Sequence, residues 1–182
     1  MNFKTILLSA LTTVATVATP VLAGYQYEGI HLMDGSDFTG NEILANDMIV
    51  SLNELGIPVV DGGKERLALC EPGENSYTMG FYVPAKNFMV ICTNTTDTDE
   101  QFEVLTHEVV HVIQDARTGI DSSTLGETNS TTHYQLASNL SDDDVTTITS
   151  LYDEEDWVVE TEAFFYQDKP QVVANELRRW AF

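Results

Sequence analysis

The chain has 182 residues, 43% of them hydrophobic, with 8 basic and 29 acidic residues and a formal charge of −21. A surface of that sign repels nucleic-acid phosphates, and no basic stripe compensates, so nucleic-acid binding is excluded. The length suits a single domain able to bury about 68–70% of its unfolded surface, and acidity of this kind keeps a protein soluble without naming a fold.

Residues 1–23 combine Lys4, the apolar and small-residue run from Ile6 to Ala18, and Pro20 before Val21-Leu22-Ala23. That pattern predicts a signal peptide ending at Ala23 and a secreted or periplasmic protein. Residues 24–182 then form one domain of 159 residues. No segment reaches the roughly 20 apolar residues needed to span a bilayer, so no transmembrane anchor is expected. A monomer is expected.

From Gly40 to Leu55, Ile43, Leu44, Met48, Ile49, Leu52 and Leu55 recur at helical spacing, and Gly56 and Pro58 stop the run. Ile57 to Val60 reads as a short strand before the Asp61-Gly62-Gly63 turn. Arg66 to Cys70 and Tyr77 to Cys92 read as β structure, with a hairpin that turns at Pro84-Ala85-Lys86-Asn87. Cys70 and Cys92 are the only cysteines. Export favours a disulfide between them, and as metal ligands they lack a close partner.

Thr98-Asp99-Glu100-Gln101 reads as a capping box opening a helix from about Asp99 to Arg117, ended by Gly119. Helical patterns return at His133 to Ala137, Asp143 to Tyr152 and Glu154 to Gln167, and a last helix runs from Pro170 to near Trp180. Asp142-Asp143-Asp144 and Asp153-Glu154-Glu155-Asp156 lack the spacing and glycine of a calcium-binding EF-hand loop, and read as helix starts. Asn94, Asn129 and Asn139 head glycosylation sequons that matter only in a glycosylating secretory pathway.

The chemistry is concentrated at His107-Glu108-Val109-Val110-His111. Two histidines four apart on a helix project from one face and can bind the same cation. Two neutral imidazoles suit zinc, and Glu108 is placed to take a proton from water that the ion acidifies toward a pKa of about 7. Two unligated histidines amid Val104, Leu105, Val109, Val110, Val112 and Ile113 would be costly to desolvate, which favours a metal over coincidence.

A catalytic zinc needs a third protein ligand. His133 is one candidate, in a polar segment. The stronger candidates are Glu160 and Glu162, which interrupt the apolar run Trp157 to Tyr166. Positions two apart on a helix point about 200° from each other, so only one can face the ion. Glu160 shares its face with Trp157, Ala163 and Phe164, and the small alanine permits close approach to the histidine helix. It is preferred, and Glu162 falls to a supporting or solvated role.

With Glu160-Thr161-Glu162-Ala163 following the HExxH helix, the chain resembles the gluzincins, zinc metallopeptidases with a glutamate ligand on a later helix. The metzincin pattern does not fit, because Gln114 and Arg117 stand where glycine and histidine are required. The resemblance implies a minimal α+β zincin-like domain with a small, mostly antiparallel sheet. It implies His107, His111 and Glu160 as Zn²⁺ ligands, Glu108 as the catalytic base, and a peptide or protein as substrate. It also implies that an edge strand within Phe81 to Cys92 lines the cleft and pairs with extended substrate. Thermolysin-type members carry an aspartate where this chain has Phe164, so what supports the ligands must differ. The alternatives are a non-catalytic zinc-stabilised binding protein with an acidic surface, or a cation-binding surface protein in which the histidine pair is incidental. An open cleft is expected, since no pro-segment follows Ala23.

Overall fold

The computed structural model describes residues 29–71, 78–120 and 125–182; the expected signal peptide lies outside these residues. Helix α1 (Glu42–Glu54) buries Ala45, Met48, Ile49 and Leu52 along one stripe. Strand β1 (Val59–Asp61) is buried throughout. Strands β2 (Gly80–Val83) and β3 (Phe88–Ile91) form the expected hairpin, joined by a tight turn in which Asn87 adopts the left-handed conformation. Five helices follow: α2 (Thr98–Thr118), α3 (Ser130–Ala137), α4 (Asp142–Leu151), α5 (Trp157–Tyr166) and α6 (Pro170–Ala181).

The protein is α+β and mostly helical, and its sheet is mixed. The strand order is β1-β3-β2, with β2 antiparallel to β3 and β1 parallel to it in the register Val59 to Met89. The expectation of a mostly antiparallel sheet is therefore corrected. The intervening segment carries the chain back so that β1 docks on the far side of β3, and near-continuous apolar runs suit strands buried on both faces. A second correction concerns residues 66–70. Arg66 has a left-handed φ of 51°, and Ala68–Cys70 form a 3-10 turn. The Asp61 carboxylate holds the start of this segment by accepting from the Lys64 N–H at 2.9 Å and the Thr93 hydroxyl at 2.5 Å. An extended strand cannot pass through a left-handed arginine.

The two sheet faces bury different clusters. Val59, Tyr82, Met89 and Ile91 pack toward α2 in the main core with Leu105, Val109 and Leu177. Val60, Phe81, Phe88 and Val90 face the other way and surround the Cys70–Cys92 disulfide, which is formed as expected.

Helix α2 is the centre of the molecule, packed on β2, α5 and α6 and buried at fifteen positions from Gln101 to Ala116. Its N-cap is Asp97, one residue before the expected start. Asp97 accepts from the Glu100 N–H while Glu100 reaches back to the Asp97 N–H. The carboxylate satisfies the helix N-terminus, and Gln101 instead turns inward to donate to the Thr96 carbonyl at 3.1 Å. Before α5, residues Glu154–Asp156 form a separate 3-10 turn instead of one continuous helix. The acidic run at the start of α4 behaves as expected: Ser141 caps the helix and Asp144 completes the box.

Candidate metal centre

Helices α2 and α5 pack side by side and bring His107, His111 and Glu160 together. The His107 and His111 Nε2 atoms are 3.2 Å apart. The Glu160 oxygens lie 3.3 Å from His107 Nε2 and 3.5 Å from His111 Nε2. All three side chains are at most 2% exposed. Ligands about 2.0–2.1 Å from a tetrahedral ion stand about 3.3–3.4 Å from one another, so the three donors outline one face of such a polyhedron. The arrangement can hold a metal ion.

Each imidazole carries an amide on its other nitrogen. His107 Nδ1 is 3.0 Å from Gln167 Oε1, and His111 Nδ1 is 2.8 Å from Gln114 Oε1. These contacts leave Nε2 directed at Glu160. Burial lowers the His107 pKa to about 4, against the hydrogen bond that its Nδ1–H donates to Gln167. Burial also lowers that of His111, against the pull of the Glu160 charge. Both rings are therefore neutral near pH 7, the state that ligates metals.

Glu108 is fully buried beside the donors, and neither of its oxygens makes a hydrogen bond of ordinary geometry. Burial pushes its carboxyl well above the usual carboxylate range; the Glu160 charge adds to the rise, and the Tyr82 backbone N–H offsets part of it. That N–H belongs to the edge strand. Cys92 donates to the Met79 carbonyl, and by antiparallel alternation the Phe81 and Val83 main chains face β3 while those of Gly80 and Tyr82 face outward. A Cβ on Gly80 would come within 2.4 Å of Val104 Cγ1 and 3.5 Å of Glu108 Cγ, so glycine sets how closely β2 approaches the site.

Glu160 and Glu162 diverge as helical geometry requires. Glu162 forms a two-pronged pair with Arg117, both bonds 2.7 Å, and accepts from Gln114 Nε2 at 3.2 Å. His133 lies outside the donor group, with its Nε2 3.4 Å from the Thr161 hydroxyl. Phe164 packs edge-on to the His107 ring at 5.1 Å, and the supporting acceptor comes from Gln167, two turns beyond Glu160 on the same helix side. Reading the motifs alone misses Gln114 and Gln167. Their signal is a polar side chain at helical spacing from a ligand in an apolar helix. A cavity of about 150 Å³ lies on another side of α2, lined in part by Val110, Ile113, Val173 and Arg117, and includes none of the donors. The open cleft expected from the sequence is not what these side chains display, since His107, Glu108 and Glu160 have no exposed surface.

The chain belongs to the family described as domain of unknown function DUF8637, which matches residues 63–182. The match takes in β2, β3 and all five helices from α2 onward, and so every donor. No curated protein and no solved structure matches the chain.

Proposed function

We propose that this protein is a zinc metallopeptidase of the gluzincin kind, secreted, with His107, His111 and Glu160 holding the ion and Glu108 serving as the proton-transferring base. The observation that carries the reading is Glu108. A fully buried carboxyl with no ion pair among the described residues, helped only by the Tyr82 N–H, is costly to ionise, and a cation held by the neighbouring donors would compensate its charge. Two histidines and one carboxylate form the donor set of a catalytic zinc with a position left open. When bound, the ion supplies Lewis acidity, polarising a carbonyl and acidifying water. Glu108 would serve as the proton carrier, its carboxylate accepting a proton from the attacking water and returning it to the leaving amine. The outward Gly80 main-chain groups and the Tyr82 carbonyl would offer hydrogen bonds to an extended peptide, the Tyr82 N–H being held by Glu108. The Cys70–Cys92 disulfide, and the absence of any membrane-spanning helix among the described residues, are compatible with a secreted protein.

Burial of all the donors favours one other reading, a zinc-stabilised binding protein without turnover. Metal analysis together with a casein and peptide-library assay separates the two. The peptidase reading expects about one equivalent of zinc, cleavage by the wild type, and loss of cleavage with retention of zinc in Glu108→Ala. Zinc binding without cleavage by the wild type would refute it and leave the binding protein.

A further inference from the structure

We infer that Arg117, Glu162 and Gln114 form a relay that fixes the tautomer of His111, so that its Nε2 lone pair is aimed at the ion site before any ion arrives. The inference rests on the metal reading only for its purpose; its geometry stands independently. Gln114 is fully buried in α2, and its amide nitrogen faces two groups that can only accept. These are the Val159 carbonyl at 2.9 Å and Glu162 Oε2 at 3.2 Å. A flipped amide would set oxygen against both, so the nitrogen stays there and Oε1 must face His111.

An amide oxygen 2.8 Å from Nδ1 requires a hydrogen on Nδ1, and a neutral ring then has none on Nε2. The outer end of the relay is held by Arg117, whose two nitrogens grip both Glu162 oxygens and prevent that carboxylate from turning. Helical spacing makes this possible. His111, Gln114 and Arg117 climb one side of α2 at intervals of three, and Glu162 projects from α5 two residues past Glu160, away from the donor face. The glutamate that does not reach the ion thereby acts on it through two residues. Gln114, Glu162 and Arg117 are positioning residues in this scheme.

The relay has two competitors. Glu160 lies 3.5 Å from His111 Nε2 and His107 Nε2 lies 3.2 Å from it, and both would favour a hydrogen there in the metal-free protein. Two acceptors holding the Gln114 nitrogen decide against both, because satisfying either would leave Gln114 Oε1 facing a bare Nδ1 lone pair.

The test is nitrogen NMR of the imidazole rings in full-length, metal-free protein near neutral pH. It compares wild type, Gln114→Leu and the gentler Glu162→Gln, with amide spectra confirming that each is folded. The expected result is an Nδ1–H tautomer for His111 in the wild type. Gln114→Leu shifts it to Nε2–H, with the His107 tautomer unchanged as the internal control, since Gln167 holds that ring. Glu162→Gln gives the same shift in part and keeps the question open to measurement if Gln114→Leu fails to fold. Zinc affinity by chelator competition falls about 10–100-fold in Gln114→Leu. An Nε2–H tautomer in the wild type overturns the relay, and so does an unchanged Nδ1–H tautomer in a folded Gln114→Leu. If the tautomers behave as expected but wild type binds no zinc, the relay stands and the metallopeptidase reading falls. If zinc binds and the tautomer ignores Gln114, only the relay is lost.

Discussion

In the metal-free protein, Glu108→Gln should become more stabilising as the pH rises. Glu108 has no exposed surface, and the folded protein keeps its proton well above the ordinary value of 4.5. The unfolded chain releases that proton at the ordinary value. The folded state therefore binds more protons, and wild-type stability is lost with rising pH from the unfolded pKa up to the folded one. The loss runs at about 1.4 kcal/mol per pH unit. Glutamine has nothing to release, so the difference between variant and wild type widens at that rate from a value near zero in acid. His107 contributes in the opposite sense. Its folded pKa of about 4 against 6.5 unfolded is worth about 3 kcal/mol, present above pH 6.5 and lost as pH falls toward 4. That contribution is common to both proteins and cancels in the difference. Urea titrations with a chelator, at about pH 5, 6 and 7, read the difference directly. Adding Zn²⁺ should narrow it, since the cation favours the ionised carboxylate. A difference that does not change with pH would show that Glu108 ionises as freely in the fold as out of it, and the account of a buried base would be wrong.

Glu160→Ala should abolish stoichiometric zinc binding, whereas Glu162→Ala should weaken it by about 10–100-fold and also lower stability by about 2 kcal/mol through loss of the Arg117 pair; equal zinc losses by chelator competition would count against Glu160 as the ligand. Gly80→Ala should cost about 1–3 kcal/mol in urea titrations, because the added Cβ meets Val104 Cγ1 at 2.4 Å and the Val90 carbonyl at 3.0 Å. Pairing it with Val104→Ala should restore part of that loss, and no rescue would mean that the contact with α2 is not the limit. Reducing Cys70–Cys92, which closes a separation of 22 residues, should cost about 3 kcal/mol, read as a lower urea midpoint under reductant.

The helices were legible in the sequence because each announces itself locally. Apolar spacing places α2, Pro170 opens α6, and Gly119 ends α2 with a positive φ of 101°. The start of α2 shifted by one residue, where Asp97 competed with Thr98 for the cap, whereas α3 and α5 each begin three residues from the expected position, at Ser130 and Trp157. Residues 66–70 were misread because β-like composition says nothing about a left-handed arginine or a carboxylate at Asp61 that curls the following turn.

The site divides along the same line. His107, Glu108 and His111 were set by spacing along one helix; the roughly 200° between positions two apart allowed only one of Glu160 and Glu162 to face the ion, and the small Ala163 on the Glu160 face chose between them. Such quantities are properties of a single helix, and the sequence by itself determines them. Only the tertiary structure decided that β1 runs parallel to β3, that Gln167 supports His107 where an aspartate was absent, and that Glu162 turns to Arg117 and Gln114. Each of these joins residues 30 to 60 positions apart in the chain. Their pairing is fixed by which faces of packed elements meet, and no local pattern of residues encodes it.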